Sequence, residues 1–265
     1  MKRLFLVMSV VAASLLAASA SIASTHVVTG VNLAWSNCFG EGTPVQNKAF
    51  ACNINTGTNL MVASFLPPVD VPTVNGNEVV IDILASNATT TALASGWWSF
   101  KNAGACRQSS LTVNFTANAA NAVCLDEFAG AAAGGIGAYT QTAPSGGWSV
   151  DNSLTAAHYR LTVAIAVPAS AIAPVLAGSE YFALNIGVNN LKSIGTGSCT
   201  GCADPVCIVL NSIKLTQPVG VGDFVIGNAA SAGSNVVTWQ GGVSGGCAAV
   251  PAKNTTWGAI KSLYR

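Results

Sequence analysis

Cysteine is the residue through which this chain could do most chemistry. There are eight, Cys38, Cys52, Cys106, Cys124, Cys199, Cys202, Cys207 and Cys247, against only two histidines. Thiols in even number can oxidise in pairs, hold a metal or shuttle electrons. Proximity in sequence makes Cys38–Cys52 and Cys106–Cys124 local staples, although eight cysteines allow too many pairings for the connectivity to be deduced. The other four comprise the run Cys199-Thr-Gly-Cys202-Ala-Asp-Pro-Val-Cys207 and the later Cys247. A Cys-x-x-Cys redox motif belongs between a strand and a helix. Here Gly, Ser and Thr precede it and a strand-like run follows. A four-thiolate zinc site usually has a second Cys-x-x-Cys, whereas Cys247 stands alone. Structural disulfides are the expected role, with zinc and redox chemistry as the alternatives.

Hydrolytic chemistry has less to work with. Asp and Glu total ten, and glycoside hydrolysis needs two carboxyls across a cleft. Asp126 and Glu127 are adjacent, so on a strand they would point to opposite faces. Glu78 and Asp82 share one strand face, whose period assigns it to solvent. His26 lies near the N-terminus. His158 opens the polar face of a strand beside Arg160, also a solvated position. None of the G-x-S-x-G, H-E-x-x-H, P-loop or EF-hand patterns occurs. No catalytic residue, metal site or cofactor is expected.

The aromatics offer binding instead. Trp97 and Trp98 follow the turn Ser95-Gly96, and in a strand one would face inward and the other outward. Trp148 lies in a Gly-rich loop. An exposed Trp face can stack on a sugar ring while Asn and Gln bind its hydroxyls. Trp97, Trp98 and Trp148 are therefore candidate ligand-stacking residues, with core packing as the competing role.

The elements that must position these groups are strands. Apolar residues recur with period two at Val79/Ile81/Ile83, Leu111/Val113/Phe115, Tyr159/Leu161/Val163/Ile165/Val167 and Phe182/Leu184/Ile186/Val188. Val27–Trp35, Asn59–Phe65, Val206–Leu215 and Asn235–Gln240 are further strands. In the third of these the apolar parity changes between Leu210 and Ile213, which predicts a bulge or burial on both faces. Turn residues separate the runs: Pro67-Pro68, Asn75-Gly76, Ser145-Gly146-Gly147 and Gly220–Gly222. Loops are expected at 36–57 and 117–157, the latter holding the Ala/Gly run Ala129–Gly137. No long helical period appears, and Pro168–Ala177 could hold one helical turn. Strands with one apolar face each must pack sheet on sheet. The predicted fold is all-β, an antiparallel β-sandwich of Greek-key immunoglobulin-like or jelly-roll type, stapled by disulfides.

Composition narrows the function classes. Of 265 residues only 8% are charged, against about 25% in an ordinary soluble domain. The formal charge of +1 excludes a nucleic-acid binder that works by neutralising phosphates, and a highly charged disordered chain. Met1-Lys2-Arg3, an apolar run from Leu4 to Leu16, and small residues through Ala23 have the three parts of a signal peptide. The run is shorter than the roughly 20 residues of a membrane span. The expected organisation is a signal peptide over 1–23, a sandwich over 24–217, and a C-terminal extension over 218–265 with one strand and a short terminal segment. No transmembrane segment is expected in the mature chain.

Three segments resemble known proteins. Leu176-Ala-Gly-Ser-Glu-Tyr181-Phe-Ala-Leu-Asn-Ile-Gly-Val188 resembles the tyrosine corner of fibronectin-type and immunoglobulin-like sandwiches. That resemblance implies a Tyr181 hydroxyl bonded to the upstream backbone. Cys207–Leu215 resembles the closing strand of carbohydrate-binding jelly rolls, which often carry an acid where Asn211 stands. The ending Trp257-Gly-Ala-Ile-Lys-Ser-Leu-Tyr-Arg265 is similar to the terminal segment of uncharacterised exported bacterial β-sandwich proteins. At helical spacing Trp257, Ile260 and Tyr264 share a face, making them candidates for an assembly segment or a helical cap. The expected function is a secreted, non-catalytic protein of the cell surface with a structural, adhesive or filament-assembly role. Its partners would be further copies of itself or other surface proteins. A carbohydrate-binding module with exposed Trp is the alternative, followed by an extracellular hydrolase.

Overall fold

The structure, a computed structural model, describes residues 29–40, 44–85, 96–101, 103–115, 117, 124–128, 147–155, 158–227 and 229–241. The segment 1–23, the run Ala129–Gly137, Cys247 and the residues Trp257, Ile260 and Tyr264 lie outside them. In chain order the strands are β1 (Gly30–Trp35), β2 (Asn47–Lys48), β3 (Thr58–Leu66), β4 (Val71–Val74), β5 (Gly76–Ala85), β6 (Leu111–Asn114), β7 (Leu125–Asp126), β8 (Gly147–Thr155), β9 (His158–Ala166), β10 (Ala173–Val175), β11 (Tyr181–Asn189), β12 (Val206–Thr216), β13 (Phe224–Ile226) and β14 (Val236–Trp239). One 3-10 turn, Ala169–Ala171, occupies the predicted helical position.

The protein is an all-β sandwich. The smaller sheet has the order β1-β3-β11-β6, with β7 beside β11, and the larger has β2-β14-β12-β5-β9-β8, with β13 beside β12. Apart from the parallel pairs β7–β11 and β2–β14, neighbouring strands are antiparallel. Alternation does what period two demands. Leu33, Phe65, Leu184 and Ile186 of one sheet meet Ile81, Leu161, Val163, Ile208 and Leu210 of the other in a single core. At about 25 cal/mol per Å2 of apolar area removed from water, this shared layer is the main source of stability.

Several expectations are corrected. The second face of the larger sheet is not solvated over β5 and β12. Glu78 and Asp82 are buried there, and Cys207, Val209, Val236 and Leu84 form a separate apolar cluster. The expected loop 117–157 contains β8, paired with β9 from Gly147↔Ala164 to Asp151↔Arg160. Its Gly, Ser, Asp, Asn and Thr residues break the apolar alternation that marked the other strands. The chain beyond Gln217 joins the larger sheet through β13 and β14, the latter lying between β2 and β12.

The predicted bulge is present. Pairing of β12 with β5 passes from Leu210↔Ile81 to Ser212↔Val80, leaving Asn211 extra. There β12 changes its other neighbour, pairing with β14 over Val206–Val209 and with β13 over Ile213–Leu215. Asn235 bridges the break: its carbonyl accepts from Leu210 N–H (2.8 Å) and its amide donates to Leu210 O (3.0 Å). Gly76 is required where β5 begins, since a Cβ there would collide with the Ile165 carbonyl. The corner before β11 closes as the resemblance implies, with Leu176 N–H donating to the Tyr181 hydroxyl at 3.0 Å.

Candidate binding groove at the disulfide-braced end

The C-terminal ends of β1, β11 and β14 and the start of β12 converge at one end of the sandwich. Alternation turns Trp35 and Trp239 inward behind Leu33 and Val237. Around Trp239 gather Phe50 at 4.0 Å, Trp97 at 4.7 Å and Trp98 at 5.1 Å between ring centroids. Rings in offset or edge contact add about 0.5–1.5 kcal/mol per pair to their burial. Three indole N–H groups find acceptors, Trp35 at Thr238 O (3.1 Å), Trp97 at Ser193 Oγ (2.8 Å) and Trp239 at Cys202 O (2.6 Å), whereas that of Trp98 is buried with no partner among the described residues.

Arg107 enters this plug although it is only 1% exposed. Its guanidinium lies 3.4 Å above the Trp97 ring and 5.2 Å from that of Phe100. It donates to the carbonyls of Leu191 and Trp97, each at 2.9 Å, and of Asn189. Burial pushes its pKa down to about 9, which still leaves it charged near neutral pH. Among the described residues no carboxylate pairs with it, so carbonyl dipoles and ring faces replace a counter-ion.

Cross-links brace the loops around the plug. Cys52 bonds Cys202 and Cys106 bonds Cys199, across 150 and 93 residues of chain. Cys38 bonds Cys124 on the outer face of the smaller sheet, beside Val62 and Phe182. Cys207 is oxidised as well. The expected local staples Cys38–Cys52 and Cys106–Cys124 are thus overturned, because topology and not sequence distance decides which thiols meet. Cys199 and Cys202 go to different partners, so they form neither a Cys-x-x-Cys redox disulfide nor part of a thiolate zinc site.

Above the Cys106–Cys199 bridge lies a groove of about 520 Å3, lined by Asn55, residues 105–110, Leu191, Lys192, Ile194 and Thr196. Its walls are held in place. Asn55 Oδ1 accepts from the N–H groups of Ser193 (2.9 Å) and Ile194 (3.0 Å), and its amide donates to Ile194 O at 3.0 Å. Lys192 has φ 61°, and its ammonium donates to Cys106 O at 2.7 Å.

Elsewhere five acids are engaged. Asp82 receives two bonds of 2.8 Å from Arg160 and lies 3.1 Å from His158 Nε2. Glu78 lies 3.2 Å from Lys214 Nζ. Glu180 accepts from Ser64 Oγ (2.6 Å), Gly40 N–H (2.7 Å) and the Asn32 amide (3.2 Å). Asp126 accepts from Phe128 N–H at 2.9 Å. Glu127 is buried against the amide of Asn77. Burial raises its pKa well above the usual carboxylate range, the Asn77 bond opposes that rise and the Asp126 charge adds to it.

The structure redistributes the candidate residues. Trp97 and Trp98 are both buried, not one in and one out. They sit in the turn after Gly96 rather than in a strand, so period two does not govern them. Trp148, in β8, is paired through its backbone with Val163 of β9. His158 is largely buried against Asp82 instead of solvated. Sequence reasoning missed Arg107 and Glu180, which no motif marks, and Glu127 as a lone buried carboxyl. No known family profile matches the chain, and no characterised protein is similar to it at a significant level.

Proposed function

We propose that this chain is an exported, non-catalytic β-sandwich with a structural or adhesive role at the cell surface. The observation that carries this reading is the covalent bracing of one end by disulfides between segments far apart in sequence. Disulfides persist in oxidising compartments, and each removes freedom from the unfolded chain, which suits a durable part exposed outside the cell. The signal-peptide pattern points the same way. Among the described residues no helix is long and apolar enough to cross a membrane. The engagement of Glu78, Asp82, Asp126, Glu127 and Glu180 in ion pairs, backbone bonds and a buried amide contact favours a binding or building role over hydrolysis. Glycan stacking on Trp97 or Trp98 is not retained, since neither ring reaches the surface.

The test is to express the full chain in a host with an export pathway, fractionate the cells, and map disulfides without reduction. The exported fraction is then followed by sedimentation velocity and by retention on cells. The reading expects an oxidised protein outside the cytoplasm that self-associates with concentration or stays on the surface. A reduced cytoplasmic protein, or an exported monomer that binds neither itself nor cells, sinks it.

A further inference from the structure

The groove over the Cys106–Cys199 bridge has the chemistry of a site for a negatively charged, hydroxyl-rich ligand. Its volume falls in the range of small-ligand pockets, roughly 300–1,000 Å3. Two of its lining residues are cationic, Arg107 and Lys192, and none is acidic. The Arg107 charge has no counter-ion among the described residues. A cation set in low dielectric without a carboxylate partner attracts an anion from outside more strongly than a solvated one does. Lys192 is exposed and spends one N–H on Cys106 O. An ammonium has three donors, so two remain for a ligand.

The uncharged lining indicates which anion. Gln108, Ser109 and Thr196 are exposed, and their side chains bond no other described residue, so an amide and two hydroxyls stand free on the walls. Leu191 and Ile194, 48% and 44% exposed, add apolar shoulders. Free amide and hydroxyl groups beside apolar surface match the alternating hydroxyls and C–H faces of a sugar. An acidic peptide would gain most from a sheet edge on which to add a strand, and the groove is lined by loops. The walls are pinned by a disulfide and by the bonds of Asn55, so little ordering is left to oppose binding.

We propose that this groove binds an anionic saccharide carrying carboxylate or sulfate groups. This rests on the adhesive reading and names its ligand class.

The experiment titrates the full oxidised protein by calorimetry with an oligogalacturonate, a sulfated dextran oligosaccharide, a neutral maltooligosaccharide of equal length, sodium sulfate and a hexaglutamate peptide. One or both acidic saccharides should bind at least about tenfold more tightly than the other three. Raising the salt from about 50 to about 500 mM should weaken that binding, since exposed charges are screened. Lys192→Gln and Ser109→Glu alter exposed side chains, and each should cost tenfold or more with the near-ultraviolet circular dichroism unchanged. The proposal is overturned if neither acidic saccharide binds, if the neutral one, the free sulfate or the peptide binds as tightly, or if both variants bind like the parent. The same variants are scored for retention on cells and for self-association. Retention or self-association with a silent groove rejects this inference alone, whereas loss of export, association and retention rejects the adhesive reading itself.

Discussion

Two of the buried ionisable side chains, Arg107 at one end of the sandwich and Glu127 at the other, are accommodated in opposite ways. At the disulfide-braced end Arg107 keeps its charge near neutral pH, surrounded by three carbonyls and the faces of Trp97 and Phe100. At the other end, where β5 begins and β7 meets Tyr181 of β11, Glu127 can take up a proton. Burial beside the Asn77 amide favours that neutral form. The ends also differ in how they are closed. The first carries long loops with few ladder bonds and uses Cys52–Cys202 and Cys106–Cys199. At the second, the described corner before β11 is tied by single bonds, Leu176 N–H to Tyr181 Oη and Ala177 N–H to Asp70 Oδ1 at 2.8 Å, and Cys38–Cys124 holds the chain just before β7. The first end joins loops far apart in sequence by two disulfides, whereas the corner before β11 is closed by hydrogen bonds.

The largest effect should come from breaking the braces. Replacing Cys106 and Cys199 together by Ala opens a loop of 93 residues and should cost about 4–5 kcal/mol in the chain-entropy account. Urea denaturation of oxidised parent and variant measures it. A loss under 1 kcal/mol would mean that the aromatic plug alone holds this end. Trp239→Ala removes the ring on which the plug converges and should cost about 3–5 kcal/mol. Because the disulfides survive the change, an unaltered midpoint would assign the rigidity to them.

At the turn-tied end the effects are smaller and depend on pH. The folded Glu127 holds a proton that the unfolded chain releases above the ordinary carboxylate range. Stability should therefore fall as pH rises from that range toward the raised folded value, by up to about 1.4 kcal/mol per pH unit. Glu127→Gln should flatten this slope above the ordinary carboxylate range, and equal slopes in parent and variant would contradict a raised Glu127. Tyr181→Phe deletes one corner bond and should cost about 1 kcal/mol. A cost near that of a disulfide would erase the contrast between the ends.

Much of the frame could be read from the residues. The runs at 79–83 and 159–167 alternate so regularly that strand identity and core-facing residues followed from period two, whereas in 182–188 the register shifts between Phe182 and Leu184 and turns Phe182 to the outer face beside Cys38 and Cys124. The parity break at Asn211 marked the bulge, and Leu176 to Tyr181 marked the corner. The site was far less legible. Trp97 and Trp98 were read with a strand rule in a turn. The groove joins residues near 55, 107 and 192, and nothing local in any of the three segments points to the others.

Sequence by itself determined that this chain makes strands with one apolar face, that such faces must be covered by another sheet, and that its thiols are available to oxidise in pairs. Those are properties of each segment and its immediate neighbours. Only the tertiary structure decided which cysteines meet, that Arg107 lies under Trp97, that Asp82 is buried, and that polar loops enclose a groove without acids. Each of these depends on contacts between residues tens to more than a hundred positions apart. Such contacts are set by strand order and register, which local periodicity does not encode.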